Sequence, residues 1–263
     1  MALECLALFR LWREVEDSQL VADTARSAAT QLLKVQQVKE RLLRVASHEL
    51  NTPLTPIKIQ LRLMSDPSFL KDAPRREAII RILERNFGRL ERVVTSVLDV
   101  VRIDNDKIRI QLKTQDVASL AKSSIDAYAE VAQVKNINIG TDFLPSMATV
   151  DGERVSQVFD NLLSNAIKYT PEGGEIIMRV RPVDEDIIIE VEDTGAGLTA
   201  AQILQLFEPF GMVHGDDDVR GGTGLGLYVC KGIVEAHGGM VGALSAGPGR
   251  GTTFWARLPA GIA

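Results

Sequence analysis

The sequence predicts an all-helical hairpin followed by an α+β domain, and three observations predict it. Residues 15–50 contain neither proline nor glycine and are rich in Ala, Leu, Gln, Lys, Arg and Glu, the composition of one long helix. Residues 75–103 repeat apolar side chains at helical spacing. Beyond Asn105 short β-branched runs alternate with helical stretches, the texture of a sheet covered by helices. A chain of 263 residues has room for two packed units, and 45% hydrophobic with 25% charged residues is ordinary globular composition.

Within the first helix, Val35, Val38, Leu42 and Val45 alternate spacings of three and four, which is the seam of a coiled coil or bundle. Upstream, Val21, Ala25, Ala28 and Leu32 continue the stripe in a shifted phase. Pro53 and Pro56 each remove a backbone donor and predict a kink, after which Ile57, Leu61 and Met64 resume the pattern. Ser65 to Pro74 reads as a turn. The second helix, Arg75 to Ile103, places Ile79, Leu83, Leu90, Val94, Val97 and Val101 on one face. A two-helix hairpin cannot hide both apolar faces alone, so pairing of two copies into a four-helix bundle is expected.

After Asn105, strands are expected at Ile108 to Leu112, Ile137 to Thr141, Glu175 to Val183, Ile187 to Glu192, Met240 to Ala246 and Thr252 to Leu258. Helices are expected at Asp116 to Val134, Glu153 to Lys168 and Gly224 to His237. The expected segments are 1–34 as an N-terminal signalling helix, 35–105 as the hairpin, and 106–263 as the mixed domain.

A formal net charge of -5 leaves no basic excess to neutralise nucleic acid. Cys5 and Cys230 fit no metal-ligand spacing and suit a reducing compartment. The apolar opening, Ala2 to Trp12, carries Glu4 and Arg10 and is too short to span a bilayer. It also lacks a signal-peptide pattern. A cytoplasmic location is the expectation, with a sensory or membrane-anchored segment possible upstream in a longer parent.

Four constellations carry chemistry. His48, in Ser47-His48-Glu49-Leu50-Asn51-Thr52-Pro53-Leu54, lies one residue off the apolar seam, so it should face solvent on a rigid helix. Imidazole is a good nucleophile near neutral pH, and Glu49 is placed to orient it and accept its proton. In Asp160-Asn161-Leu162-Leu163-Ser164-Asn165-Ala166-Ile167-Lys168-Tyr169, Asn161, Asn165 and Lys168 share one helix face. Two amide oxygens and an ammonium suit a magnesium ion bridging phosphates.

The glycine-rich segments Asp193-Thr194-Gly195-Ala196-Gly197-Leu198 and Gly221-Gly222-Thr223-Gly224-Leu225-Gly226-Leu227 let backbone amides approach phosphates, the second at a helix mouth. Asp193 ends a strand, where a buried carboxylate can accept from an adenine amino group. Neither segment has the Walker A ending or the Rossmann context. Between them, Phe207-Glu208-Pro209-Phe210 reads as the anchor of a lid, Gly211 to Arg220, that carries Arg220 towards phosphate.

In this order the motifs resemble those of HisKA-type sensor histidine kinases, whose ATP-binding domain is of the gyrase, chaperone, histidine kinase and MutL kind; the likeness runs from Val38 to the C-terminus. The resemblance implies that His48 is the phospho-acceptor, Glu49 the general base, and Thr52 the residue that orients water for dephosphorylating the partner. It implies Asn165 as principal Mg²⁺ ligand, with Asn161 and Lys168 on metal or phosphate and Tyr169 beside the nucleotide. Asp193 reads adenine, flanked by Gly195 and Gly197, and Gly222, Gly224 and Gly226 form the second glycine box around Thr223 and Leu225.

ATP, Mg²⁺, a homodimer and a response-regulator receiver domain are the cofactors and partners so implied. Asn51 stands where such kinases commonly carry a basic residue, and Ala196 and Leu198 also depart from the pattern. His214 and His237 match no acceptor position. The rival readings are an ATPase of the same nucleotide fold that never phosphorylates itself, and a degenerate kinase kept as phosphatase or scaffold.

Overall fold

The computed structural model describes residues 29–30, 33, 36, 38, 40–64, 73–103, 108–211 and 224–261. The chain divides into two compact units, Met1–His48 and Glu49–Ala263. In the first, residues 40–48 are helical; Leu42 is buried, Val38 and Val45 are half-buried, and Arg41, Arg44, Ser47 and His48 are less buried than Leu42. That is the expected seam as far as it is described. Val35 and the upstream stripe lie outside the described residues.

The second unit opens with helical residues 49–64 (α1), which run through Pro53 and Pro56, so neither proline ends the helix. Thr55 Oγ1 donates to Asn51 O at 3.1 Å. Helix α2 (Ala73–Ile103) follows; most of the turn expected between the two helices lies outside the described residues. Ile79, Val93 and Val100 of α2 are buried, whereas Ile80, Phe87, Val94, Leu98 and Val101 are exposed. At spacings near seven, these exposed side chains form one apolar stripe along the helix.

Next come β1 (Lys113–Asp116), α3 (Val117–Val134), β2 (Asn138–Phe143), β3 (Met147–Val150) and α4 (Gly152–Tyr169). After them lie β4 (Glu175–Val183), β5 (Asp186–Asp193), α5 (Ala200–Gln205), α6 (Gly226–Ala236), β6 (Met240–Leu244) and β7 (Thr252–Pro259). β1 and β3 pair antiparallel, and the main sheet has the order β2-β4-β5-β7-β6. Within it β2 runs parallel to β4, and the other pairings are antiparallel.

The strand expected at Ile108 to Leu112 is corrected: residues 108–112 are not strand, and β1 begins at Lys113. The Gln111 N–H donates to Asp151 Oδ2 at 2.8 Å; a side chain takes the donor that a ladder would have used.

Strand alternation builds the core. Ile176, Met178 and Val180 of β4, Ile187, Ile189 and Val191 of β5, and Phe254, Ala256 and Leu258 of β7 are all buried, and α3, α4 and α6 pack on the sheet. The alternate positions hold the ion pairs Arg179–Glu192, Arg181–Glu190 and Arg257–Asp186. The result is a two-layer sandwich. Asp116 caps α3 and Asp151 caps α4, each satisfying an orphan amide of the first turn.

His237 ties two of these helices together. The Asp151 N–H donates to His237 Nε2 at 3.0 Å, and His237 Nδ1 lies 2.8 Å from Ile233 O. The ring therefore accepts on Nε2 and carries its proton on Nδ1, joining the start of α4 to the end of α6.

Candidate nucleotide site

Period-two alternation places Asp193 on the buried side of β5, directly after Ile187, Ile189 and Val191. It is a carboxylate at the end of an apolar row, 5% exposed. Its Oδ1 accepts from the Gly195 N–H at 2.7 Å. Burial pushes its pKa up to about 6 against the opposing pull of hydrogen bonds from Gly195 and Thr252.

The loop after Asp193 is fastened to the β6–β7 turn. Gly249 N–H donates to Ala196 O at 2.6 Å and Gly251 N–H to Gly195 O at 3.2 Å, while Leu198 N–H donates to Ser245 Oγ at 3.0 Å. Two of its glycines are irreplaceable on geometry. A Cβ on Gly195 would lie 2.6 Å from Asp193 Oδ1 and 2.7 Å from Tyr169 O; Gly197 has φ +65°, and a Cβ there would collide with Gly247 O.

Across from this wall, α4 exposes Asn161, Asn165, Lys168 and Tyr169 partially, while Leu162, Leu163, Ala166 and Ile167 are buried. Asn161 is turned towards α6: a Cβ on Gly226 would lie 3.0 Å from its Oδ1. On α6 the Cys230 thiol, pushed up to about 12 by burial, donates to Val158 O of α4 at 3.9 Å. Asn165, one turn beyond Asn161, shares the same face. Lys168 Nζ donates to Tyr169 Oη at 2.8 Å, with the ammonium 4.5 Å from the ring centroid.

Helix α6 begins at Gly226 with Leu225 at its N-cap and no side-chain cap. Gly224 has φ +65°, and its carbonyl accepts from the Phe210 N–H at 3.1 Å. Phe210 is buried, itself at φ +62°. Arg220, Gly222 and Thr223, and with them all of the expected lid but Gly211, lie outside the described residues.

These residues fit a magnesium nucleotide. Asp193 offers a buried acceptor on a loop that Gly195 and Gly197 let pack against Tyr169 and Gly247 with no room for a Cβ, and the Asn165 amide is an oxygen donor suited to a hard cation. The structure adds residues that sequence reasoning missed. Thr252 pairs with Asp193 in register, and Thr170 Oγ1 is buried with no hydrogen-bond partner among the described residues. Ser245 is a third, bonded to Leu198. Their only sequence signal is proximity to the motifs, in Tyr169-Thr170-Pro171 and Gly251-Thr252-Thr253.

Elsewhere, His48 is exposed in its own unit. Glu49 is buried in the second unit, and its Oε2 pairs with Arg89 of α2 at 3.1 Å. Thr52 is exposed on α1.

Residues 150–262 match the family of histidine kinase-, DNA gyrase B-, and HSP90-like ATPases, and residues 38–106 match the His Kinase A (phospho-acceptor) domain. The alginate biosynthesis sensor protein KinB of Pseudomonas aeruginosa is 29% identical over 85% of this chain and 37% of its own length. The sensor protein SrrB of Staphylococcus aureus is 31% identical over 85% and 38%. The chain therefore spans less than half the length of these relatives. A structure of histidine kinase ThkA in complex with response regulator protein TrrA covers 81% of this chain and 59% of that one at TM-score 0.55 and 21% identity, a likeness of fold. Among the described residues no helix is long and apolar enough to cross a membrane.

Proposed function

The chain belongs to the HisKA-type sensor histidine kinases, a phospho-acceptor hairpin joined to a gyrase- and HSP90-like ATPase fold, and on that premise we propose that it phosphorylates His48 from Mg·ATP and passes the phosphoryl group to a response-regulator aspartate. One observation carries the nucleotide half of this reading: the buried carboxylate of Asp193 is held by the Gly195 N–H, at the head of a loop so closely packed that neither Gly195 nor Gly197 has room for a Cβ. The acceptor half rests on the exposed His48 in Ser47-His48-Glu49.

In this reading Asp193 takes the adenine amino proton in a hydrogen bond and sets register. Asn165, supported by Asn161, would hold a magnesium ion, whose chemistry would be to neutralise phosphate charge, and Lys168 with Tyr169 would flank the phosphates. Amides at the start of α6 around Gly224, Leu225 and Gly226, with Gly222, Thr223 and Arg220 before them, complete the phosphate contacts. A His48 ring nitrogen attacks the γ-phosphorus in line, the bond to the β-phosphate oxygen breaks, and ADP leaves. Glu49, its rotamer fixed by Arg89, accepts the ring proton.

The segments we assign are 1–34 to signalling, 35–105 to dimerisation and phosphotransfer, and 106–263 to catalysis. The apolar stripe Ile80, Phe87, Val94 and Val101 on α2 supports a homodimer. ThkA's complex with TrrA supports a receiver domain as the partner, and Thr52 would serve its dephosphorylation. Sensory segments in cis fit a chain that spans less than half of each relative, and a cytoplasmic position is part of the same proposal. A pulse–chase tests the transfer: label the chain with γ-labelled Mg·ATP, remove nucleotide, and add a receiver domain. Label should move to the receiver; label that stays on the chain with every receiver tried rejects phosphotransfer.

A further inference from the structure

The last carbonyls of a helix find no partner within it, and α4, the helix of Asn161, Asn165 and Lys168, ends at Tyr169. A single side chain from another element takes up two of them and the carbonyl of the capping residue Thr170. Lys135 Nζ donates to Ile167 O at 2.7 Å, to Lys168 O at 3.2 Å and to Thr170 O at 3.1 Å. An ammonium has three donors, and all three are engaged on main-chain oxygens. Lys135 also borders a cavity of about 370 Å³ with Tyr128, Ser164 and Lys168. Its bonds to the chain make it a strut there.

The other end of the strut is fixed as firmly. Lys135 is the C-cap of α3, its N–H bonded to Ala132 O and Gln133 O. Asn136 turns the chain at φ +53°, a conformation asparagine tolerates, and its Nδ2 donates to Glu172 Oε1 at 3.0 Å. Gly173 N–H donates back to Lys135 O at 3.2 Å. The carbonyl of Tyr169, inside the stretch that Lys135 grips, is the atom a Gly195 Cβ would meet at 2.7 Å, beside Asp193 Oδ1 at 2.6 Å.

We propose that Lys135 is a positioning residue for nucleotide binding: through the backbone of 167–170 it sets the distance between the asparagine helix and the Asp193–Gly195 wall. The proposal rests on the nucleotide reading given under Proposed function. Removing the ammonium leaves three carbonyls to find water and lets the end of α4 drift. Binding should suffer while chemistry on bound nucleotide does not.

The test uses the whole chain and Mg·ATP, with Lys122→Met on the exposed face of α3 as control. Lys135→Met should raise both Kd and KM for ATP about tenfold and leave kcat at saturation within about twofold. Lys135→Arg, which restores a cationic donor, should recover most of the loss. An unchanged Kd in a folded Lys135→Met chain overturns the proposal, as does equal loss in the Met and Arg variants with kcat falling alongside. Should the Met variant not fold, Lys135→Gln decides: a Kd about threefold higher supports the strut, and an unchanged one rejects it. A wild-type chain that binds no Mg·ATP would count against the nucleotide reading itself.

Discussion

Arg154 Nη1 lies 2.9 Å and 3.0 Å from the two carboxylate oxygens of Asp99, whose side chain is wholly buried. Asp99 belongs to α2 and Arg154 to the first turn of α4. Gln157 adds a bond to Asp99 at 2.8 Å, and a Cβ on Gly232 of α6 would lie 2.6 Å from Ile103. The end of the hairpin helix is therefore keyed onto the helices of the nucleotide domain. Arg154→Met leaves the buried carboxylate with Gln157 and, at 3.5 Å, the half-exposed Arg102, and should cost about 3 kcal/mol in urea unfolding. Asp99→Leu with Arg154→Met should regain most of it, since paired removal leaves no lone charge.

Nucleotide affinity should fall in mild acid. Asp193 is raised to about 6 by burial, so its acceptor carboxylate is lost as pH falls through that value. Calorimetric titration should show Mg·ATP binding weakened roughly tenfold from pH 7 to pH 5, and an unchanged Kd would remove Asp193 from the recognition.

The same carboxylate should weaken the nucleotide-free fold at neutral pH. The folded-state pKa lies above the ordinary value of 3.8, so the folded chain holds the proton more tightly than the unfolded one. Stability is then greatest below pH 4 as far as this group is concerned, and declines as pH rises to about 6. Asp193→Asn should stabilise the free protein at pH 7 by about 1–3 kcal/mol, with the gain vanishing near pH 4, while abolishing ATP binding. A variant that binds ATP normally, or loses stability at pH 7, contradicts the assignment.

Gly197→Ala combines a left-handed backbone with a Cβ that collides with Gly247 O. The loop must part from the β6–β7 turn, so melting should report a loss of about 2–3 kcal/mol and ATP binding should drop at least tenfold. Gly173→Ala, with open space around it, serves as the comparison for backbone strain alone.

Much of this was legible in the residues. The alternation of Ile187, Ile189, Val191 and Asp193 places the carboxylate on the buried side by spacing alone, and Glu175 to Val183 matches β4 at both ends. What was missed is short or non-local. β3 has four residues and pairs with β1, and α5 has six, so neither spans enough turns to show a period. Ile108 to Leu112 alternated like a strand, but pairing depends on what lies alongside, and Asp151 claimed the amide of Gln111. Lys135 and its acceptors are 32 to 35 residues apart, a contact set by the packing of α3 on α4. Nothing in the spacing announces it.

Incubating the full chain with γ-labelled Mg·ATP and following the label through acid, base and site mapping reads the central chemistry directly. An acid-labile, base-stable phosphate should appear on the peptide that contains His48, and should be absent in His48→Gln although that variant binds ATP as the parent does. Phosphate on another residue, or normal nucleotide binding without any label on His48, contradicts histidine autophosphorylation at this site.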